Sequence, residues 1–328
     1  MEDAIAHKSK MKKSIPFVID AVRRNWDSPH WWTRQFNARL FSRYYSYTNR
    51  LPGDYVPSED WDNLIILDGC RFDLFKDVIN SFDVPGTLEK RNSLGTSSAE
   101  FLRENFNKQS HNDTVYISAN PYARTELNNE SLHSIDHVWL NGWDDEEETV
   151  MPETMEERTI ETLSQYPNKK IVSHFMQPHH PFVGGVRISS DRGYVGARSK
   201  VMDEEVPNWE SIWSQLRHGK VSGEEVWSAY QSNLEYVLES VERLIKRLDG
   251  LTVITSDHGN AFGERASPFP TTVYGHAPGV RIPALVEVPW FICDSGNRRT
   301  IQAEEAEIVE KDIDQELINE RLGALGYK

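Results

Sequence analysis

Six short, nearly unbroken apolar runs, at residues 63–68, 114–118, 137–140, 170–176, 251–257 and 284–292, are spaced along most of the chain. A half-exposed antiparallel strand alternates apolar with polar residues, so several of these runs are too continuous for anything but strands covered on both faces. The covers are visible between them. Residues 153–166 and 224–248 carry helical patterns, and in the second Val226, Tyr230, Leu234, Val237, Val241, Leu244 and Leu248 recur at steps of three or four, which makes one buried stripe. Strand and helix in alternation define an α/β fold: a mostly parallel central sheet with helices on both faces. Such sheets carry their chemistry outside the carboxyl ends of the strands, so the residues after each run matter most.

The 328 residues, 38% of them hydrophobic, suffice for one large domain with appendages. Three segments fall outside the pattern. Residues 1–60 form a basic, aromatic arm with Lys8, Lys10, Lys12, Lys13, Arg23 and Arg24 among Trp26, Trp31, Trp32, Phe36, Phe41, Tyr44 and Tyr45. Such an arm wants a surface, which is the chain's own domain or, through residues 1–50, a membrane interface or a protein partner. Residues 61–293 are the expected catalytic domain, interrupted at 183–221 by a Gly-, Ser- and charge-rich insertion with Trp209 and Trp213. Residues 294–328 form an acidic tail with a short helix near Leu317, Ile318 and Leu322.

The formal charge of −15 is unevenly spread, because residues 1–50 hold ten basic against four acidic side chains and leave −21 on the remainder. An acidic body argues against nucleic acid as a partner. Any anionic substrate must then find its positive charge locally. Cys70 and Cys293, far apart, read as neither a disulfide framework nor a thiolate zinc site. No run approaches the roughly 18–20 apolar residues of a membrane span, and Met1-Glu2-Asp3 lacks a secretory layout. A soluble, cytoplasmic protein is expected.

The run 251–255 ends in Ser256-Asp257-His258-Gly259, a carboxylate and an imidazole delivered from one tight turn. Both can reach a single divalent ion. The first run ends in Asp68-Gly69-Cys70-Arg71, and parallel strands bring Asp68 to the same rim as Asp257 and His258. Two carboxylates and an imidazole suit Zn²⁺, Mn²⁺, Mg²⁺ or Ca²⁺. Gly95-Thr96-Ser97-Ser98 then opens a helix and offers hydroxyls that metal coordination and the helix terminus would activate. Thr96 is the expected nucleophile, with Ser97 and Ser98 as alternatives one and two residues away. His174, inside a strand, is expected in the core or behind the site.

In order and spacing these motifs resemble the alkaline phosphatase and sulfatase superfamily, and most closely its sulfatase-like branch that includes lipoteichoic acid synthases. There an early acid ends the first strand, a Thr in a Thr-Ser-x-x-Glu-Phe context opens a helix, and Ser-Asp-His-Gly follows a late strand. Asp68, Thr96 in Thr96-Ser97-Ser98-Ala99-Glu100-Phe101, and Ser256-Asp257-His258-Gly259 match. So do Met176-Gln177-Pro178-His179-His180-Pro181-Phe182, Gly263-Glu264, Tyr274-Gly275-His276 and Arg281-Ile282-Pro283, and the likeness runs over residues 61–292.

The resemblance implies a metal held by Asp68, Thr96, Asp257 and His258, with Thr96 as nucleophile and His179 at the substrate. His276, Arg71 and His180 are left for a second metal or the substrate. One ion is expected, and the donors would allow two. Neither Cys70-Arg71-Phe72-Asp73 nor Cys293-Asp294-Ser295-Gly296 fits the Cys-x-Pro-x-Arg motif of sulfatases proper. The expectation is therefore a metal-dependent hydrolase or transferase of phosphate mono- or diesters, on an anionic ester. Sulfate-ester hydrolysis, or a binding protein that kept the fold without catalysis, are the competing readings.

Overall fold

The computed structural model describes residues 43–44, 47–48, 51–188, 211–269, 271–307 and 315–325. The chain divides into two compact units, Met1–Asn49 and Arg50–Lys328, and the sheet with its covering helices belongs to the second. The arm expected to contact a membrane or partner lies outside the described residues apart from 43–44, 47–48 and 51–60, as do 189–210 of the expected insertion.

The strands in chain order are β1 (Asn63–Leu67), β2 (Thr87–Asn92), β3 (His111–Ser118), β4 (Leu132–His137), β5 (Trp143–Asp144), β6 (Thr149–Val150), β7 (Lys170–Phe175), β8 (Leu251–Thr255), β9 (Ala261–Arg265), β10 (Thr272–Gly275) and β11 (Glu287–Asp294). Seven of them form one sheet in the order β2-β11-β8-β1-β7-β3-β4. The run β8-β1-β7-β3-β4 is parallel throughout, and β11 lies antiparallel to both β8 and β2. The helices are α1 (Phe72–Val78), α2 (Ser98–Phe106), α3 (Tyr122–Glu126), α4 (Pro152–Gln165), α5 (Ile212–Arg217), α6 (Gly223–Ile245), α7 (Pro283–Val286) and α8 (Gln315–Ala324).

Alternation along β1 splits the core into two layers. Ile65 and Leu67 pack with Leu74 and Phe75 of α1, Met155 of α4 and the Val226-to-Leu244 stripe of α6. Leu64 and Ile66 pack on the other face with Phe101, Leu102 and Phe106 of α2. Each such side chain, fully buried, contributes about 1.5–3 kcal/mol, so the continuous apolar run is what requires cover on both sides. Helix α6 opens with a capping box between Ser222 and Glu225, and all seven residues of its expected stripe are buried.

Two apolar runs fold otherwise than expected. Residues 137–140 are not a strand: the strand is the alternating Leu132–His137, and Val138–Leu140 turn into a 3-10 helix that buries Val138 and Trp139. Run 284–292 begins with helix α7, which Pro283 starts at its first position, and the strand begins only at Glu287. Strand β2, Thr-Leu-Glu-Lys-Arg-Asn, has no apolar run because it is a largely exposed edge strand. The tail is tied to the domain. Arg298 pairs with Asp60 and Asp62, Glu304 reaches the buried Lys169 at 2.8 Å, and Ile318 and Leu322 of α8 are buried.

Candidate active site

The alternation that builds the core also aims the site. On β1 the α2 face carries Leu64 and Ile66, and Asp68 continues that spacing; on β8 Val253 continues through Thr255 to Asp257. On β7, Val172 is followed two residues on by His174, opposite Ile66 of β1 and Ser118 of β3. Parallel pairing in register then sets Asp68, His174 and Asp257 side by side at one rim, with ligand atoms within 4.8 Å of one another.

Two tight turns hold the carboxylates. Gly69, at φ +65°, lets its N–H donate to Asp257 Oδ1 at 2.9 Å, and a Cβ there would meet the Asn260 amide at 2.7 Å. His258 N–H donates to the same oxygen. Ser256 Oγ accepts from Cys70 N–H and donates to His258 O, which ties the two turns together. From α6, the Tyr230 hydroxyl donates to Gly69 O and accepts from Arg71 N–H. Asn233, one turn of helix later, gives its amide protons to the carbonyls of Pro178 and His179 and accepts from Val183 N–H, clamping the loop that carries His179 and His180.

His258 donates from Nδ1 to Gly259 O, which turns Nε2 to 3.7 Å from Asp68 Oδ1 and 3.5 Å from Asp257 Oδ2. Asp68 Oδ2 accepts from the buried Asn120 amide at 2.6 Å. Ser98, first residue of α2 after its cap Ser97, brings Oγ to 3.2 Å from Asp68 Oδ2 and 3.3 Å from His258 Nε2.

Thr96 is held elsewhere. Its hydroxyl donates to Glu100 and faces Ala277 O, and it accepts from Gly279 N–H. Of the three hydroxyls expected at the helix start, the structure brings Ser98 to the carboxylates, while Ser97 caps α2 through Glu100 N–H.

His179 is buried beside this cluster, with its N–H on Asp68 O and its Nδ1 giving a proton to His180 O. Burial, then the surrounding imidazoles against the Asp68 charge, lowers its pKa to about 3. His180 stacks on it at 4.8 Å. His276, half-buried, lies 4.8 Å from His258 and 5.1 Å from His179 ring to ring, and burial and these neighbours hold it well below the ordinary histidine value. Arg71 does not join them: it pairs with Asp73 at 2.6 Å and Glu264 at 2.5 Å. Arg281, too, is structural, donating to the carbonyls of Leu51, Ser93 and Leu94.

Burial raises the Asp257 pKa, and the Asp68 charge adds to it. For Asp68, burial pushes the same way, but contact with His174 and the nearby imidazoles of His179 and His258 leave it well below the usual carboxylate range. Two buried carboxyl groups side by side call for a compensating cation. Asp257 Oδ2 and His174 Nε2, 3.7 Å apart, have no hydrogen-bond partner among the described residues. Such atoms are what a divalent ion would take up, and a donor set of carboxylate oxygen and imidazole nitrogen fits one.

A mostly parallel sheet with carboxylates, imidazoles and a helix-start hydroxyl at its carboxyl rim defines an α/β protein with a candidate metal site. The chain belongs to the sulfatase family: the family model described as Sulfatase matches residues 94–326, and with it comes the alkaline phosphatase superfamily. Its members hydrolyse or transfer phosphate and sulfate esters, use divalent metals and act on anionic substrates. Asp68 lies ahead of the matched segment.

Similar solved structures include the C-terminal periplasmic domain of the phosphoethanolamine transferase EptC from Campylobacter jejuni, at 15% identity over 71% of this chain and 78% of that one, TM-score 0.44. The corresponding Escherichia coli domain in complex with Zn gives 15% identity, 75% and 76% coverage and 0.41. Phosphonate monoester hydrolase of Agrobacterium radiobacter gives 12%, 71% and 68%, and 0.41. No curated protein matches.

The cytoplasmic expectation is corrected: the EptC domains are periplasmic, and two buried thiols with no membrane-crossing helix among the described residues fit either side of a membrane.

Proposed function

We propose that the chain is a metal-dependent hydrolase or transferase of phosphate mono- or diesters that works through Ser98. The observation that carries this reading is the Ser98 Oγ at 3.2 Å from Asp68 and 3.3 Å from His258, at the first residue of a nine-residue helix. The helix terminus favours negative charge on that oxygen. A divalent ion held by Asp68, Asp257 and His258 would supply Lewis acidity to the phosphoryl group and make the Ser98 oxygen a usable nucleophile near neutrality.

Ser98 Oγ, its proton given up to water, attacks phosphorus from its place beside Asp68 and His258. The Oγ–P bond forms while the ester P–O bond opposite breaks, leaving a phosphoserine. Water or an acceptor alcohol then attacks that phosphorus and returns Ser98. His179, with its lone pair on Nε2, accepts from a hydroxyl of substrate or acceptor, and His276 stands on the more exposed side of the same group.

The family description favours one further reading, sulfate-ester hydrolysis, which the missing Cys-x-Pro-x-Arg motif opposes. The test is a panel of aryl phosphate, aryl phosphodiester and aryl sulfate with Zn²⁺ or Mn²⁺, with and without chelator. Phosphate-ester turnover that chelation and Ser98→Ala both abolish is expected. Turnover of the sulfate alone, or undiminished turnover in Ser98→Ala, overturns the proposal.

A further inference from the structure

Tyr116 lies wholly buried on β3, on the sheet face that also carries Val172 and His174 of β7, and its neighbour across the ladder is Val172. That diagonal placement puts its hydroxyl 2.9 Å from His174 Nδ1. The other ring nitrogen, Nε2, lies 3.4 Å from Asp68 Oδ2 and 3.7 Å from Asp257 Oδ2. The hydroxyl thus decides where the imidazole points.

We propose that Tyr116 is a positioning residue that holds His174 as a second nitrogen ligand beside His258, and so gives the site its preference for Zn²⁺ over Mg²⁺ and Ca²⁺. The inference rests on the metal-dependent reading of the site and adds to it the choice of ion.

A tyrosine hydroxyl either donates or accepts, whereas the Gly259 carbonyl that orients His258 only accepts. With an ion on Nε2, His174 carries its proton on Nδ1 and the Tyr116 oxygen accepts it. Without an ion, the hydroxyl turns to donate to Nδ1, and the proton on Nε2 faces the two carboxylates. The Tyr116 hydroxyl therefore serves Nδ1 of His174 in either tautomer with no heavy atom moved, while Nε2 is left to the ion. A phenylalanine at 116 would strand a buried Nδ1–H in the metal-bound state. Two imidazoles with two carboxylates are a Zn²⁺ donor set, whereas Mg²⁺ and Ca²⁺ take oxygen ligands.

The experiment uses the full chain, stripped of metal. Zn²⁺ affinity is measured against a chromophoric chelator, Mg²⁺ and Ca²⁺ are added as competitors, and the Co²⁺ form is read by visible absorption. Tyr116→Phe is expected to bind Zn²⁺ about 10–100-fold more weakly, the usual effect of losing the partner of a ligating histidine, with the shape of the Co²⁺ spectrum kept. His174→Gln is expected to change that spectrum and to lose discrimination against Mg²⁺. X-ray absorption at the zinc edge of the unmutated protein is expected to show two imidazoles.

A single imidazole there, or Zn²⁺ affinity in either variant within about twofold of the unmutated protein, overturns the proposal. Should Tyr116→Phe fail to fold, NMR of the histidine-labelled unmutated protein replaces it: an Nδ1-bound proton on His174 that appears with Zn²⁺ supports the proposal, and its absence overturns it. Failure of the unmutated protein to take up Zn²⁺ or Co²⁺ at all is a different result, which removes the metal-dependent reading itself.

Discussion

Ser98 and Asp68 face each other across the carboxyl rim of the sheet, Oγ to Oδ2 at 3.2 Å, while Thr96, two residues earlier, spends its hydroxyl on Glu100 and Gly279. The two hydroxyls therefore have separable roles. Thr96→Val removes the acceptor for Gly279 N–H and a partner of Glu100, and is expected to lower stability by about 1–3 kcal/mol in denaturant melts. Turnover per folded molecule should persist. Ser98→Ala is expected to do the reverse: a normal melt, with kcat down at least about a thousandfold.

Asp257→Asn should separate metal binding from stability. The amide oxygen keeps both N–H donors of Gly69 and His258, but the charge beside Asp68 is gone. Calorimetry is expected to show the metal-free variant melting higher than the metal-free parent, since one of two crowded buried carboxylates is removed. Saturating Zn²⁺ should raise the parent's stability by about 2.7 kcal/mol at a hundred times its dissociation constant and leave the variant nearly unmoved.

Acid should weaken the metal-free protein through its buried histidines. His179 has a folded pKa of about 3, and an unfolded histidine titrates near the ordinary value of about 6.5. Below the unfolded value the unfolded chain binds a proton that the folded one refuses, so this stability is complete above pH ~6.5 and is lost as pH falls towards 3. His276, displaced in the same direction, adds to the slope. Urea melts between pH 7 and 5 are expected to show stability falling by up to about 1.4 kcal/mol per pH unit for each such histidine. His179→Gln should flatten the curve.

Asn233→Ala should loosen the loop that carries His179 and His180. It strips partners from the carbonyls of Pro178 and His179 and from Val183 N–H, all buried. A loss of roughly 3 kcal/mol is expected in equilibrium unfolding. Steady-state kinetics should show KM rising more than kcat falls, because His179 loses its fixed position while Asp68 and Ser98 keep theirs.

Features that depend on neighbours along the chain were legible in the sequence. Continuous apolar runs required a sheet covered on two faces, the stripe from Val226 to Leu248 marked α6, and Asp68 and Asp257-His258 were legible because each directly follows a strand. Strand β2 was not legible, since an exposed edge strand has no burial pattern to display. Tertiary structure decided the rest. Each residue of helix turns its side chain by about 100°, so the register of α2, set by the Ser97 cap and by Phe101 and Leu102 in the core, chose Ser98 from three adjacent hydroxyls. Asn120, Tyr116 and His174 entered the site through the lateral register of β3, β7 and β1, which no spacing within one strand encodes. Local periodicity records which face a residue lies on; only packing between strands and helices records what it meets there.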